Sequence, residues 1–405
     1  MPPDERLDLE LELDGHDEEE RADDDRADDE RVGTFGAMLG DKRRMLTGVL
    51  LFVALVVAIY ILFPKVVGLD DSLAKLDDAT WYWIVIAVVF NVAAFAAYVA
   101  LFRGVLGGRV EDEVYRRLDV KASYQITMAG LAATRIFSAA GAGGIALTYW
   151  ALRKAGMPRR RSACRMVAFL ALMYSVYMLA LVLFGVLLRT HVLPGSAPFG
   201  GTVVPAAMAA GAMAVFLLFA LVPEDIERRM SRLAAGGWHG RMLARLATVP
   251  ATVASGVRTA IAFVRHPRRG ALAVVGAVGF WAANIAVLWA SFEAFGGDVP
   301  FGVLVQGFFV GMAANLVPSP AGGVGSVDAG MIAAFVLFGI PSGIVFPAVL
   351  AYRVIAFWLP IPPGVLAFIQ LRGTVAGWER ERRAELAEGA AVYTSESKVR
   401  AAEAT

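Results

Sequence analysis

An arginine and an aspartate stand inside otherwise apolar segments of the C-terminal part of the chain. Arg353 lies in AVLAYRVIAFW, and Asp328 lies in AGGVGSVDAG. An arginine near the centre of a membrane helix costs on the order of 2.5 to 3.5 kcal/mol, so it usually faces a cavity or a partner. Its planar guanidinium group can bind two phosphate oxygens at once. We therefore predict that Arg353 binds an anionic group. The alternatives are that it pairs with Asp328 or binds backbone carbonyl groups.

Asp328 is predicted to lie at the start of a helix that begins inside the membrane. A carboxylate in the first turn is favoured by the helix dipole, and Ser326 is predicted as the N-cap residue. Capping is thus the expected role of Asp328. Asp328 is also the only carboxylate predicted deep in the membrane, so it is the candidate for proton coupling or for neutralising Arg353.

A second arginine and two glycine-rich turns complete the set of candidate residues. Arg135, in AATRIF, either binds phosphate with its guanidinium group or extends to the cytoplasmic surface. The glycines of GAGG and AGGVG allow close approach to a ligand, although a tight turn alone also requires glycine. The candidate substrate-binding residues are Arg353, Arg135, Asp328, Gly141, Gly143, Gly144, Asn315, Ser319, Gly322, Gly323, Gly325 and Ser326. No residue is predicted to be catalytic or to bind a metal.

Two apolar segments that are interrupted by a glycine-rich turn resemble one another. QITMAGLAATRIFSAAGAGG, from Gln125 to Gly144, and QGFFVGMAANLVPSPAGGVG, from Gln306 to Gly325, share eight identical positions when aligned without gaps. A Gly-x-Pro sequence follows each segment. Each is too short to cross the membrane twice, so each is predicted to enter and leave on one side as a re-entrant helical hairpin.

The two hairpins belong to two similar halves of the chain, at about 81–188 and 270–371. In each half an apolar span with an internal asparagine, Asn91 or Asn284, precedes the hairpin, and another span follows it. The first hairpin is predicted to enter from the cytoplasm and the second from outside, which makes an inverted repeat. A helix start inside the membrane is expected in each, near Ile145 and near Ser326, where the partial positive charge suits an anion. A chance match of two Ala/Gly-rich segments is the alternative.

The composition indicates an integral membrane protein. Of 405 residues 58% are hydrophobic and 19% charged, and the mean hydropathy is +0.59. The predicted fold is an all-α polytopic membrane protein with about six full transmembrane helices plus the two hairpins. Six stretches approach the roughly 20 residues that a crossing helix needs. They lie at about 45–63, 81–102, 166–188, 202–222, 270–292 and 344–371.

Charge divides the chain into a membrane domain at 41–372 and two tails. Residues 1–40 are predicted to be a disordered tail, because residues 1–31 hold sixteen acidic and four basic side chains. Residues 373–405 form a charged tail. The loop 223–269 is basic and contains a predicted pair of amphipathic helices. Basic residues precede the first span and follow the last span, which predicts that both termini lie in the cytoplasm.

Several function classes find no support in the sequence. The single cysteine, Cys164, excludes a disulfide scaffold, and the four histidines lie outside the apolar spans. Nucleotide, metalloprotease and hydrolase motifs of the types GxxxxGK[ST], HExxH and GxSxG are missing. We therefore expect no enzyme activity and no cofactor. The basic loops fit the positive-inside pattern and need no nucleic-acid ligand.

The second half carries a family resemblance. NLVPSPAGGVGSVDAGMIAAF, followed by FGIP and AYRVIAFWLP, resembles the lysylphosphatidylglycerol synthase transmembrane region, also called the flippase-like domain family. The resemblance covers roughly residues 45–372. It implies a membrane domain of the kind associated with flipping aminoacylated phosphatidylglycerol in multiple-peptide-resistance proteins. Only a charged tail stands where those proteins have an aminoacyl-transfer domain, so synthase activity is not expected. Asp328 stands where a glutamate is commoner.

The leading hypothesis is a lipid translocase of the bacterial cytoplasmic membrane that moves an anionic or headgroup-modified lipid between leaflets, with a membrane phospholipid or a polyprenyl-phosphate lipid as its partner. Without a nucleotide motif, it would run downhill or on an ion gradient. One alternative is a membrane subunit or transferase that acts on a polyprenyl-phosphate lipid or glycolipid. Another is a non-transporting scaffold whose acidic tail binds a cytoplasmic partner. Homo-oligomer formation stays open.

Overall fold

The computed structural model describes residues 79–106, 113–136, 142–220, 252–316 and 324–403. The acidic tail and the first predicted span, at 45–63, lie outside the described residues. So do the turns of both predicted hairpins, and with them Gly141, Ser319, Gly322 and Gly323.

Within the described ranges the chain is all-helical and contains no strand. In chain order the helices are α1 Trp81–Leu106, α2 Glu113–Arg117, α3 Val120–Ile136, α4 Ala142–Lys154, α5 Arg159–Arg189, α6 Phe199–Ala220, α7 252–265, α8 Pro267–Ala294, α9 Phe301–Met312, α10 Ser326–Leu337, α11 Ser342–Arg353 and α12 Ile361–Glu403. A 3-10 turn, Ala313–Leu316, follows α9, and a π-helical turn, Val354–Trp358, follows α11.

Five of the described helical segments are long and apolar enough to cross a membrane. They are Trp81–Leu106, Arg159–Arg189, Phe199–Leu218, Gly270–Ala294 and Ser342–Ala384. Each overlaps one of the predicted spans that lie within the described residues. The segments α9 and α10, with 12 residues each, are shorter than the roughly 20 residues that a crossing requires.

Helices α1 and α8 cross closely and run antiparallel. A Cβ atom placed on Gly276 would lie 2.4 Å from the backbone nitrogen of Leu101, so only glycine allows this approach. Near the opposite end of the crossing the rings of Trp83 and Trp289 meet edge to face, with centroids 5.1 Å apart. Small residues at such contacts allow membrane helices to pack by van der Waals attraction.

Two pairs of short helices, α3 with α4 and α9 with α10, also pack antiparallel through glycines. In the first pair, a Cβ atom on Gly144 would lie 2.4 Å from the carbonyl oxygen of Gly130. In the second pair, a Cβ atom on Gly330 would lie 2.9 Å from the carbonyl oxygen of Gly311. Gly130 and Gly311 are equivalent positions in the sequence alignment. Helix α4 begins at Ala142, three residues before the predicted start near Ile145, and α10 begins at Ser326 as predicted.

Each short pair contacts a long helix that is distant in the sequence. The buried side chain of Gln125, on α3, accepts a hydrogen bond from the hydroxyl of Thr374, on α12, at 2.8 Å. Its sequence equivalent Gln306, on α9, donates to the carbonyl oxygen of Gly201, on α6, at 3.0 Å. The two aligned glutamines thus each bind a helix more than 100 positions away in the sequence.

The sixth predicted span, 344–371, is not one regular helix. It consists of α11, the π-helical turn and the start of α12, with the break at Leu359 and Pro360. Proline has no backbone N–H and its ring clashes with the carbonyl of the fourth residue before it, so Pro360 interrupts the helical hydrogen bonds. Hydropathy alone cannot detect such a break, because the segment stays apolar throughout.

The structure describes parts of the two remaining segments that were predicted to be cytoplasmic, the loop 223–269 and the charged tail 373–405. In the loop 223–269, residues 252–265 form one helix, and the first helix of the predicted pair lies outside the described residues. Helix α12 continues to Glu403, so most of the charged tail is helical. Lys154 at the end of α4 forms an ion pair with Glu379 of α12 at 2.9 Å.

Candidate functional site

The buried arginine of α11 forms an ion pair with the aspartate of α10. The Nε atom of Arg353 lies 2.6 Å from Oδ1 of Asp328, and the side chains are 5% and 14% exposed. Pairing was one of the alternatives that the sequence left open for Arg353. Removing only one partner of such a buried pair strongly destabilises the folded protein, because the other charge then stays unpaired in an apolar environment.

Asp328 also fixes the start of α10. Its Oδ2 atom accepts a hydrogen bond from the backbone N–H of Gly325 at 2.8 Å. The N-cap residue is Gly325, with φ of 85°, and not Ser326, so the prediction of a serine cap is wrong. Glycine adopts this left-handed backbone conformation without the steric cost that serine would pay. The carboxylate therefore connects the helix start to Arg353.

The π-helical turn after Arg353 disturbs the backbone hydrogen bonds of the sixth span. The N–H of Leu359 donates to the carbonyl of Val354, five residues back, at 2.9 Å. Ile355 thereby loses its ordinary donor. Ala356 has none four residues later, because that residue is Pro360. Inside a membrane, such carbonyl groups must find other donors.

Two side chains from the first half of the chain supply these donors. The buried Asn91 of α1 donates through Nδ2 to the carbonyl of Ile355 at 2.9 Å. Arg135, at the end of α3, donates through Nη2 to Ala356 at 3.0 Å and through Nη1 to Phe357. Arg135 thus binds carbonyl groups of the second half instead of extending to the cytoplasmic surface.

Both arginines also contact one aromatic ring. The guanidinium carbon of Arg135 lies 4.8 Å from the centroid of the Phe357 ring, and that of Arg353 lies 4.4 Å from it. Cation–π contacts of this length are favourable, more so away from water. The described side chains of this cluster carry two positive charges and one negative charge, so they attract an anion.

We define the arginine cluster as Asn91, Arg135, Asp328, Arg353 and Phe357. It connects α1, α3, α10 and the segment around the π-helical turn. A net positive, largely buried group beside a helix start is an arrangement that can hold a phosphate group through guanidinium and backbone N–H donors. Because Asp328 already accepts at that helix start, an incoming anion would have to share the donors with this carboxylate.

The predicted site residues are only partly brought together. Arg353, Asp328, Gly325 and the adjacent Ser326 lie at one place, and Arg135 reaches it from α3. Asn315 is exposed on the 3-10 turn after α9. The remaining candidates are glycines of the first turn or lie outside the described residues.

Close packing accounts for Gly144, one of the two described glycines of the first turn. Gly143 is buried, and Gly144 is closed in by Thr134 and Gly130, since a Cβ atom there would lie 2.1 Å from the Thr134 hydroxyl oxygen. This geometry explains why glycine is needed at 144 without any ligand.

Sequence reasoning did not assign roles to Asn91, Phe357 or Pro360. A polar amide inside an apolar span was the available signal for Asn91, and the prolines of LPIPP were the signal for the break. Neither signal names the partner, because Asn91 and Ile355 are 264 positions apart. In the described part of the chain, no group of three or more His, Cys, Asp or Glu side chains is placed to hold a metal ion.

Comparison with known proteins gives one result at family level. The model of the family described as the lysylphosphatidylglycerol synthase TM region matches residues 45–364. The matched region includes all five residues of the arginine cluster. No curated protein and no solved structure matches the chain.

Proposed function

Because the chain belongs to the lysylphosphatidylglycerol synthase transmembrane-region family, and is therefore a membrane protein related to lipids, we propose that it is a lipid translocase. Its substrate is an anionic or headgroup-modified phospholipid, which it moves between the leaflets of the cytoplasmic membrane. The observation that carries this proposal is the arginine cluster. Two arginines and one aspartate inside apolar helices are costly, and such residues mark substrate pathways in membrane proteins.

The proposed architecture is an inverted repeat with two re-entrant hairpins. The antiparallel crossing of α1 and α8 supports it, since corresponding helices of inverted halves run in opposite directions. The close packing of both short pairs at the equivalent glycines Gly130 and Gly311 supports it as well. The hairpins are the pairs α3–α4 and α9–α10, whose short helices return towards the side from which they enter.

In the proposed mechanism, the lipid headgroup enters the protein while the acyl chains stay in the bilayer. Its phosphate group binds the guanidinium group of Arg353 and the backbone N–H groups at the start of α10. Rocking of one half against the other opens this site to each leaflet in turn. The headgroup charge then never meets hydrocarbon. Movement runs down the lipid gradient or on an ion gradient, with Asp328 as the group that would take up a proton.

Lipids that copurify with the protein test the proposed site. Mass spectrometry of protein extracted in a mild detergent should find an anionic phospholipid bound to the wild type and depleted in Arg353→Ala. Arg372→Ala, an exposed cation on α12, is the matched control and should keep the lipid. A polyprenyl-phosphate lipid in the same place would favour the alternative pathway function. Equal lipid in all three proteins would contradict the site.

The proposed topology makes a separate prediction about thiol accessibility. With both termini in the cytoplasm, the exposed Ser342 faces the outside and the exposed Arg383 the inside. In a Cys164→Ser background, Ser342→Cys should react with a membrane-impermeant thiol reagent on intact cells. Arg383→Cys should react only after permeabilisation. The reverse pattern would overturn the proposed orientation of the second half.

A further inference from the structure

The hydrogen bonds of Asn91 and Arg135 do not end on charged groups but on the backbone next to Arg353. We propose that these two residues are positioning residues, which hold the π-helical turn Val354–Trp358 and thereby the direction in which Arg353 points. The inference rests on the proposed function, because it assigns the machinery that orients the phosphate-binding arginine.

The turn needs outside donors to exist. Continuing its hydrogen-bond pattern by one residue would require an N–H at position 360 to reach the carbonyl of Ile355, and Pro360 has none. Asn91 supplies that hydrogen bond from α1. A buried carbonyl group without a donor costs about 1 to 3 kcal/mol, so the turn is stable only while such donors stay in place.

Holding the turn matters for Arg353 because helical geometry couples hydrogen-bond pattern to direction. A π-helical hydrogen bond spans one residue more than an α-helical one. One residue corresponds to a rotation of about 100° around a helix, so a change between the two patterns rotates the residues before the turn relative to those after it by about that angle. Arg353 directly precedes the turn and lies against Asp328 on α10. A change of pattern in the turn would rotate the residues on its two sides relative to one another, and thus separate the guanidinium groups that share the Phe357 ring.

The two donors come from the first half of the chain, whereas the turn, Arg353 and Asp328 belong to the second. Asn91 lies on α1 and Arg135 on α3, so two separate helices hold one turn. In a protein whose halves rock, these hydrogen bonds make the geometry of the site depend on the relative position of the halves.

A rescue experiment tests this inference. Asn91→Leu keeps the approximate volume but removes the donor to Ile355, and we expect the rate of lipid movement by the purified protein in vesicles to fall about tenfold. Adding Pro360→Ala returns an N–H that can reach the same carbonyl, so the double variant should recover at least about half of the lost rate on a logarithmic scale. A backbone N–H at 360 cannot replace an amide that contacts the lipid itself.

Asn284→Leu is the matched control. Asn284 is the corresponding asparagine of the other half, but its amide donates to Phe280 within its own helix, at 2.9 Å. Its oxygen meets the hydroxyl of Tyr352 only at 3.5 Å. We expect its effect on the rate to stay within about threefold, because no carbonyl of the turn loses a donor.

Hydrogen exchange gives a readout that does not depend on transport. In detergent, amides of residues 354–361 should exchange faster in Asn91→Leu than in the wild type, and protection should return in the double variant with Pro360→Ala. If the wild type moves no lipid, the proposed function fails, and this exchange pattern still decides whether Asn91 holds the turn. Unchanged exchange in Asn91→Leu would overturn the inference. So would restored protection together with a rate that stays at the level of Asn91→Leu.

Discussion

Replacing Arg353 with alanine should lower the rate of lipid movement at least about a hundredfold. In the proposed mechanism this residue supplies two charge-assisted hydrogen bonds to the phosphate group, each with a contribution of about 1.5 to 3 kcal/mol. The measurement is the initial rate in vesicles that contain equal amounts of correctly inserted protein. Arg353→Lys keeps the charge but loses the planar fork, so we expect a loss of about tenfold.

The ion pair with Asp328 means that Arg353→Ala can also lower stability, and a second substitution at Asp328 provides the control. Arg353→Ala leaves a carboxylate in a mostly apolar place, and breaking such a pair costs about 3 to 5 kcal/mol when burial is complete. Asp328→Asn in the same chain removes that charge. We expect the double variant to regain thermal stability without regaining transport. Recovery of transport in the double variant would show that Arg353 only neutralises Asp328.

Gly144→Ala should strongly destabilise the first pair of short helices. Its Cβ atom would lie 2.1 Å from the hydroxyl oxygen of Thr134 and 2.4 Å from the carbonyl oxygen of Gly130. The backbone oxygen cannot move without displacing α3, so the two helices must separate. Overpacking of this kind costs about 1 to 3 kcal/mol. The midpoint of thermal unfolding in detergent should fall clearly, together with the amount of protein recovered from membranes.

Gly211→Ala is the matched control for this substitution. Gly211 lies in the interior of α6, and a Cβ atom there would meet nothing within 4 Å. Alanine is favoured over glycine inside a helix by about 0.5 to 1 kcal/mol, so the unfolding midpoint should stay the same or rise. An unfolding midpoint of Gly144→Ala equal to that of the wild type would show that the close packing of α3 and α4 is wrong.

Most of the spans could be predicted from sequence because lipid imposes a simple requirement. A crossing helix must be apolar over about 20 residues, and the helices α1, α5, α6 and α8 meet this condition without interruption. The short pairs could be anticipated from their glycine-rich interruptions. The break at Pro360 could not be predicted from hydropathy, because hydropathy measures side chains and the break concerns backbone hydrogen bonds.

Three residues of the arginine cluster, Arg353, Asp328 and Arg135, could be singled out from the sequence, but Asn91, Phe357 and the contacts between the residues could not. Arg353 and Asp328 could be predicted as site residues because charges inside apolar segments are costly, and their ion pair was one of the expected alternatives. The partners of Arg135 and Asn91 could not be derived from one sequence, because they are backbone carbonyls more than 220 positions away. Any residue type can offer a carbonyl group, so no side-chain pattern marks the acceptor.

The most direct test of the account is whether the purified wild-type protein lets a phospholipid headgroup cross a bilayer. Vesicles that contain the protein and a trace of phosphatidylglycerol with a fluorescent acyl chain are treated from outside with dithionite, which bleaches only the outer leaflet. The experiment is run with and without an imposed proton gradient. We predict bleaching beyond the outer-leaflet fraction in at least one of these conditions, and its loss in Arg353→Ala. Bleaching that stops at the outer-leaflet fraction in both conditions, as in vesicles without protein, would contradict the account.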